Sequence, residues 1–380
     1  MIHLFTTVLS LYVILRLVLP LRVAPRVKVA LCLLALACSM KLYLLRLIYG
    51  SIVPEISRSA MLALGYVHGT LILLTILCVM RDILLLCLRG ANRILPRVPR
   101  DILSPNRWAA LLLILSLALG VFAVRQGVAE PLIHEVDVTL PGMPRALDGL
   151  RVLHASDLHI SRTFPREWTA ALVERINASR PDIILLTGDM VDGTIEDRAR
   201  DVAPLAGLKA RLGVYMCTGN HEYHWDWPAW KRAFEALGIV VLENAHVTIA
   251  DRGTKIVVAG VADRIAKRFG LPMPDPAAAL AGAPKDALRV MLAHRPQVVY
   301  DATKEGVDLQ LSGHTHGGQL AVARLLVKLM NEGFLSGVYA VGDTRLHVTN
   351  GTALWSGFPM RLLVPCRFEL LTLKAPPASN

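Results

Sequence analysis

The sequence predicts a two-part fold: N-terminal transmembrane α-helices followed by an α/β domain of layered sheet and helix. Three observations predict it. Apolar runs of near-spanning length succeed one another before residue 126 and then stop. Beyond residue 150, short apolar runs alternate with polar stretches of helical period. Charge divides at the same boundary, with 14 Lys and Arg against 3 Asp and Glu in residues 1–125 and 27 of each in residues 126–380.

That division decides what the net charge of +11 means. A basic chain invites a nucleic-acid reading, but here the whole excess lies between apolar spans, where it sets topology. No nucleic-acid partner is expected. The 54% hydrophobic content and mean hydropathy of +0.47 agree with a membrane half joined to an ordinary globular half.

Taken in order, runs 2–19, 29–48, 60–80 (with an extension to Leu88) and 108–124 read as about four spans. The second holds Lys41 and Arg46, and charge at depth is costly unless it snorkels or pairs. Between the third and fourth runs stand Arg81, Arg89, Arg93, Arg97, Arg100 and Arg107 against Asp82 and Asp101. The positive-inside rule puts that stretch in the cytoplasm. The fourth helix then leads out, and the following domain is expected on the extracytoplasmic side of an inner or plasma membrane. Arg22, Arg26 and Lys28 agree with this topology. The boundaries read as a membrane domain at 1–125, a linker at 126–147, the α/β domain at 148–373 and a tail at 374–380. No polar constellation within the helices suggests transport; they read as an anchor, or as a means of keeping a lipid-like substrate close.

Cys32, Cys38, Cys78 and Cys87 lie in apolar runs and read as small hydrophobes, and neither Cys217 nor Cys366 has disulfide or zinc-knuckle spacing. The segment Leu34-Ala35-Leu36-Ala37-Cys38 is a poor lipoprotein cleavage site, because its order is wrong.

In the second half, a strand at 151–155 ends at Ser156-Asp157-Leu158-His159, and 168–179 has helical period. A strand at 183–186 runs into Thr187-Gly188-Asp189, and one at 214–218 into Gly219-Asn220-His221-Glu222. Strands at 290–293 and 309–311 end at His294 and at Ser312-Gly313-His314-Thr315-His316. Five strand ends thus deliver Asp, Asn or His, usually beside Gly. Such ends converge on one sheet edge. Asp, Asn and Gly are common in turns, so any one ending is unremarkable, whereas all five together are not. Oxygen and nitrogen donors without thiolate suit Mn, Fe or Zn.

These residues, with Gly188-Asp189-Met190-Val191-Asp192, resemble in order and spacing the signature of the calcineurin-like metallophosphoesterases, over about residues 148–373. Trp230, Leu237-Gly238, Asn244 and Gly317-Gly318-Gln319 are similar to a membrane-associated branch with N-terminal transmembrane helices. The resemblance implies a two-sheet α/β/β/α sandwich holding two divalent or transition metal ions. It implies that Asp157, His159 and His316 bind one ion, that Asn220, His294 and His314 bind the other, and that Asp189 bridges. It further implies that His221 serves the leaving group, oriented by Asp192. Protein phosphatases of the family carry Arg after the position of Asp192; Gly193 stands here, and no phosphate-gripping arginine is identifiable.

The expected function is hydrolysis of a phosphodiester, pyrophosphate or phosphomonoester, with a lipid-like substrate preferred because of the anchor, the possible interfacial helix and the similarity to family members that hydrolyse a nucleotide diphosphate on a lipid A precursor. The alternative is a catalytically silent membrane scaffold or sensor. His154, His224, His246 and His347 lack partner spacing and read as strand or surface residues. Trp225 and Trp227 are candidates for an aromatic lip at a membrane surface, while Trp230 reads as core. Residues 320–330 form either a core-facing or an interfacial helix.

Overall fold

A computed structural model describes residues 2–91 and 103–377. Arg93, Arg97, Arg100 and Asp101, on which the orientation argument partly rests, lie outside the described residues. The chain divides into two compact units, 1–126 with 356–360, and 127–355 with 361–380.

The first unit is helical: α1 (Ile2–Val13), prolonged by a π-helical turn through Val18, then α2 (Pro25–Ser39), α3 (Lys41–Tyr49), α4 (Arg58–Ala91) and α5 (Pro105–Gly127). Four runs were expected to span. Among the described residues, α4 with 34 residues and α5 with 23 are long and apolar enough to cross a bilayer. A third is added if α2 and α3, bent by 66°, count as one broken span, and Thr6–Val18 is a shorter apolar helix. The bend falls beside Lys41, the charge inside the second run. Breaking a helix in an apolar unit frees carbonyls that need partners. The Thr6 hydroxyl donates to the Ser39 carbonyl at 2.8 Å, His68 Nδ1 lies 2.9 Å from the Cys38 carbonyl, and the Lys41 ammonium donates to the Gly357 carbonyl at 2.9 Å.

Within this unit a polar cluster forms around Asp82. Asp82 accepts from the Tyr12 hydroxyl and Arg16 Nε, both at 2.6 Å, and from Arg81 Nη2 at 2.6 Å. Tyr12 and Arg16 reach Asp82 across 70 and 66 positions of sequence, so no local pattern announces the cluster.

The second unit holds β1 (Leu132–Thr139), β2 (Leu150–Ala155), β3 (Ile183–Thr187), β4 (Val214–Cys217), β5 (Val240–Val241) and β6 (Ala245–Asp251). It continues with β7 (Thr254–Gly260), β8 (Leu288–Leu292), β9 (Leu309–Ser312), β10 (Gly337–Val341), β11 (Thr344–Val348) and β12 (Arg367–Lys374). They form two six-stranded sheets, ordered β1-β12-β2-β3-β4-β5 and β10-β11-β9-β8-β7-β6. Strand side chains alternate between faces. Val152, Ile183 and Leu185 therefore enter the inter-sheet core with Val258, Val290 and Leu311. Their neighbours Leu153, Ile184 and Leu186 face outward onto α6 (Arg166–Ala178), α7 (Ile195–Val202) and α8 (Trp227–Ala236). The other outer face packs on α9 (Pro276–Ala279) and α10 (Val299–Ala302), and the short α11 (Arg324–Met330) follows β9. The domain is a two-sheet α/β/β/α sandwich.

Residues 126–147, set apart as a linker in the sequence, contribute β1. It pairs in parallel with β12 over eight residues, and Val138, Leu140, Met143 and Leu147 enter the inter-sheet core. Its outward side is polar and its inner residues few, so alternation was too weak to read as a strand. Within each sheet β2, β3 and β4, and β7, β8 and β9, run parallel. Their C-terminal ends therefore emerge on a common edge.

Candidate metal centre

At that edge the backbone is bent hard. Asp157, His159, Asp189, His314 and His316 all have positive φ, between 43° and 69°. Non-glycine residues seldom adopt this region, and each costs of order 1–3 kcal/mol unless surroundings impose it. Two glycines make the turns possible by letting chains touch. A Cβ on Gly219 would strike Asp189 Oδ1, and one on Gly313 would strike Ser156 Oγ and Asp157 Oδ2.

The turns bring the two sheets' strand ends together. His294 Nε2 lies 3.2 Å from Asp189 Oδ2 and 3.2 Å from His314 Nδ1. His316 Nε2 lies 3.4 Å from Asp157 Oδ1, and His159 Nε2 lies 3.8 Å from Asp189 Oδ2. Each group has one atom tied to protein and another left facing the centre. Asp189 Oδ1 accepts the His221 amide at 2.8 Å, and Asp157 Oδ2 accepts the His314 amide at 3.1 Å. His294 Nδ1 faces the Thr187 carbonyl at 2.7 Å and His159 Nδ1 faces Asp192 at 3.1 Å, which leaves their Nε2 atoms as lone-pair donors.

Among the described residues, Asp157 Oδ1 and His159 Nε2 are buried without a hydrogen-bond partner. Orphaned acceptors in the interior are expensive, and two electron-pair donors aimed into one space fit a cation. At this edge, among the described residues, three sets of side chains put candidate ligand atoms within 4.8 Å of one another: Asp157, His159 and His316; His159, Asp189 and His221; and Asp189, His294 and His314. Burial holds His314 and His316 well below the usual imidazole range, in the neutral form that ligates cations. Burial also raises Asp157, whereas Asp189 falls well below the carboxylate range because His294 and His221 outweigh its burial.

Residues 150–318 match the calcineurin-like phosphoesterase family. A metallophosphoesterase of Aquifex aeolicus is 32% identical over 228 residues, 59% of this chain and 85% of that protein. The chain belongs to the calcineurin-like phosphoesterase family. A transmembrane protein with metallophosphoesterase domain from Danio rerio is 32% identical over 277 residues, and the alignment takes in 70% of this chain but 63% of that relative's length. Among solved structures, a 5′-nucleotidase precursor of Thermus thermophilus aligns at 17% identity and TM-score 0.37, over 59% of this chain and 54% of that one.

In the phosphoesterase domain, several site residues escaped the sequence reading. Asp192 holds two histidines rather than one, with Oδ1 2.5 Å from His221 Nδ1 and Oδ2 3.1 Å from His159 Nδ1. Glu222, in a recognised motif but without a role, accepts the backbone amides of Asp189, Met190 and Gly219 at 3.1, 2.5 and 2.7 Å. It thereby staples two strand ends together. Arg295 reaches Asn220 Oδ1 at 3.2 Å and His314 Nε2 at 2.6 Å while paired with Asp263 at 2.8 Å. Its position immediately after His294 was the available signal. Fully buried Arg361 donates to the His316 carbonyl at 2.9 Å and the Asn350 carbonyl at 2.6 Å, a long-range contact that no motif shows.

The other histidines sort differently. His246 Nδ1 lies 2.8 Å from the Ala279 carbonyl, and exposed His224 stands 5.5 Å from the Phe269 ring. His154 and His347 meet across the two sheets, Nδ1 to Nδ1 at 2.9 Å, beside buried Glu369. The aromatic lip does not form as expected. Trp227 is buried, its Nε1 donating to Glu243 at 3.0 Å, and Trp225 packs against the core. Trp230 is core, bonded to the Gly193 carbonyl at 3.1 Å.

Proposed function

We propose that the chain is a membrane-anchored, metal-dependent phosphoesterase. The observation that carries this reading is the pair of orphaned buried atoms, Asp157 Oδ1 and His159 Nε2, inside a ring of donors. In this reading Asp157, His159 and His316 would hold one divalent ion, Asn220, His294 and His314 would hold a second, and Asp189 would serve both. Such ions, when bound, polarise a phosphoryl oxygen and supply a hydroxide nucleophile at neutral pH.

The chain's own residues do the rest. Asp192 fixes the His221 ring at Nδ1, so that Nε2, 3.9 Å from Asp189 Oδ2, is the atom turned to the centre and able to hand a proton to a departing alkoxide. Arg295, held by Asp263 beside Asn220 and His314, offers a planar cation to a non-bridging phosphate oxygen. It takes the part of the clamp that Gly193 cannot. The unit's two apolar helices support anchoring, and the basic stretch before α5 supports an extracytoplasmic domain. For substrate, a phosphodiester or pyrophosphate on an amphiphile fits an anchored enzyme.

The test is metal analysis of the full chain in detergent, then turnover of mono-, di- and pyrophosphate esters after Mn, Zn or Fe reconstitution. About two ions per chain are expected, with turnover lost in Asp189→Ala. A parent chain that takes up no metal, or turns over no ester in any reconstituted form, overturns the proposal.

A further inference from the structure

Just past His316, the phosphoesterase unit presents apolar surface that no described residue of the unit covers. On α11 and beside it, Leu325 is 69% exposed, Leu326 56%, Leu329 68%, Met330 71% and Val322 54%; Leu363 is 70% exposed. Single exposed hydrophobics are ordinary, but so many within nine consecutive residues mark a contact surface. Leu363 belongs with them, because Leu320 pairs with Leu362 in an isolated bridge.

Two observations name what covers the patch. First, α11 reads Arg-Leu-Leu-Val-Lys-Leu-Met: two cations, no acid and five large apolar residues. This is the composition of a segment that sinks its apolar face into lipid and leaves its cations among phosphates. Second, the same chain contains helices of bilayer-crossing length and apolarity, so a membrane lies within its tether. A second copy would equally cover apolar side chains, but it would leave the all-basic charge of the helix unexplained.

We infer that α11, with Val322 and Leu363, is an interfacial element that seats in the headgroup layer of the bilayer. The element is tied to the centre: Arg324 Nη1 donates to the Gly317 carbonyl at 3.3 Å, one residue after His316. Seating therefore places the mouth of the site at the depth of lipid phosphates, which deepens the functional proposal and rests on it for substrate class.

The full chain is reconstituted into phosphatidylcholine–phosphatidylglycerol vesicles after Cys32, Cys38 and Cys87 are replaced by Ser. Bimane is attached at Leu326→Cys or, as control, at exposed Glu174→Cys on α6. Nitroxide-labelled lipid should quench bimane at 326 and spare it at 174. Separately, Leu325→Ser with Leu329→Ser should raise KM for an alkyl diphosphate ester embedded in the vesicles by about tenfold and leave soluble bis(p-nitrophenyl) phosphate turnover unchanged. Quenching at 326 by aqueous iodide but not by lipid nitroxide overturns the inference, as does cross-linking of 326 to a second copy. Lipid quenching at 326 in a chain that hydrolyses nothing would sustain the seating while sinking the enzymatic reading.

Discussion

Asp192 is the residue on which most of the centre's order converges, since one buried carboxylate aligns His159 and His221 together. Asp192→Asn keeps the shape but can satisfy the two imidazole N–H groups less well. It should lower metal affinity and kcat by about 10–100-fold, read by metal titration and steady-state kinetics. His221→Ala should cost roughly 10²–10⁴ in kcat with alkyl leaving groups and far less with p-nitrophenolate, which leaves without a proton. An equal loss on both would remove the proton-donor role. Arg295→Gln should raise KM by about tenfold with kcat less affected, and Arg295→Lys should recover only part of it, because an ammonium lacks the planar fork. These residues were unevenly legible. Asp157 stands at a strand end after Ser156, and Asp189, Asn220 and His314 stand at strand ends beside glycine, where local pattern suffices. Arg295 and Arg361 act through contacts of 11 to 75 residues' separation, and sequence carries no local trace of such pairing.

Elements tell the same story at greater length. β2, β3, β4, β8 and β9 were readable because they are buried on both faces and end abruptly in polar turns. β1 was missed, as an edge strand with one wet face, and so were β10 to β12, whose role depends on which sheet they join. The helical unit shows how a break within an apolar run is accommodated: Thr6 and His68 stand at the carbonyls that the α2–α3 bend frees. Thr6→Val and His68→Leu should each lower stability by about 1 kcal/mol, measured by thermal unfolding in detergent. No change in either would mean that the freed carbonyls find other partners.

The whole domain is joined across its sheets by a buried polar cluster: His154 on β2, His347 on β11 and Glu369 on β12. Burial pushes Glu369 up to about 7 from an ordinary 4.5, against the pull of Arg367. The folded state thus holds this proton more tightly than the unfolded chain does. Stability from this group is full below about pH 4.5, falls as pH climbs toward 7 and is level above. The loss should amount to roughly 3 kcal/mol. Glu369→Gln should flatten that part of the profile, and a Tm that falls equally steeply from pH 5 to 7 in the variant would assign the slope elsewhere. Nothing in the spacing of residues 154, 347 and 369 foretold this cluster, because only the closure of two sheets creates it.

The left-handed turns at Asp157, His159, Asp189, His314 and His316 carry a consequence for how such a chain drifts. Under selection for folding alone, these five positions would move toward glycine, which adopts that backbone freely. Selection for chemistry forbids the move. A library randomised there and screened first for expression, then for turnover, should return two nearly exclusive populations. Their divergence would measure how far the demands of folding and of catalysis pull apart at one sheet edge.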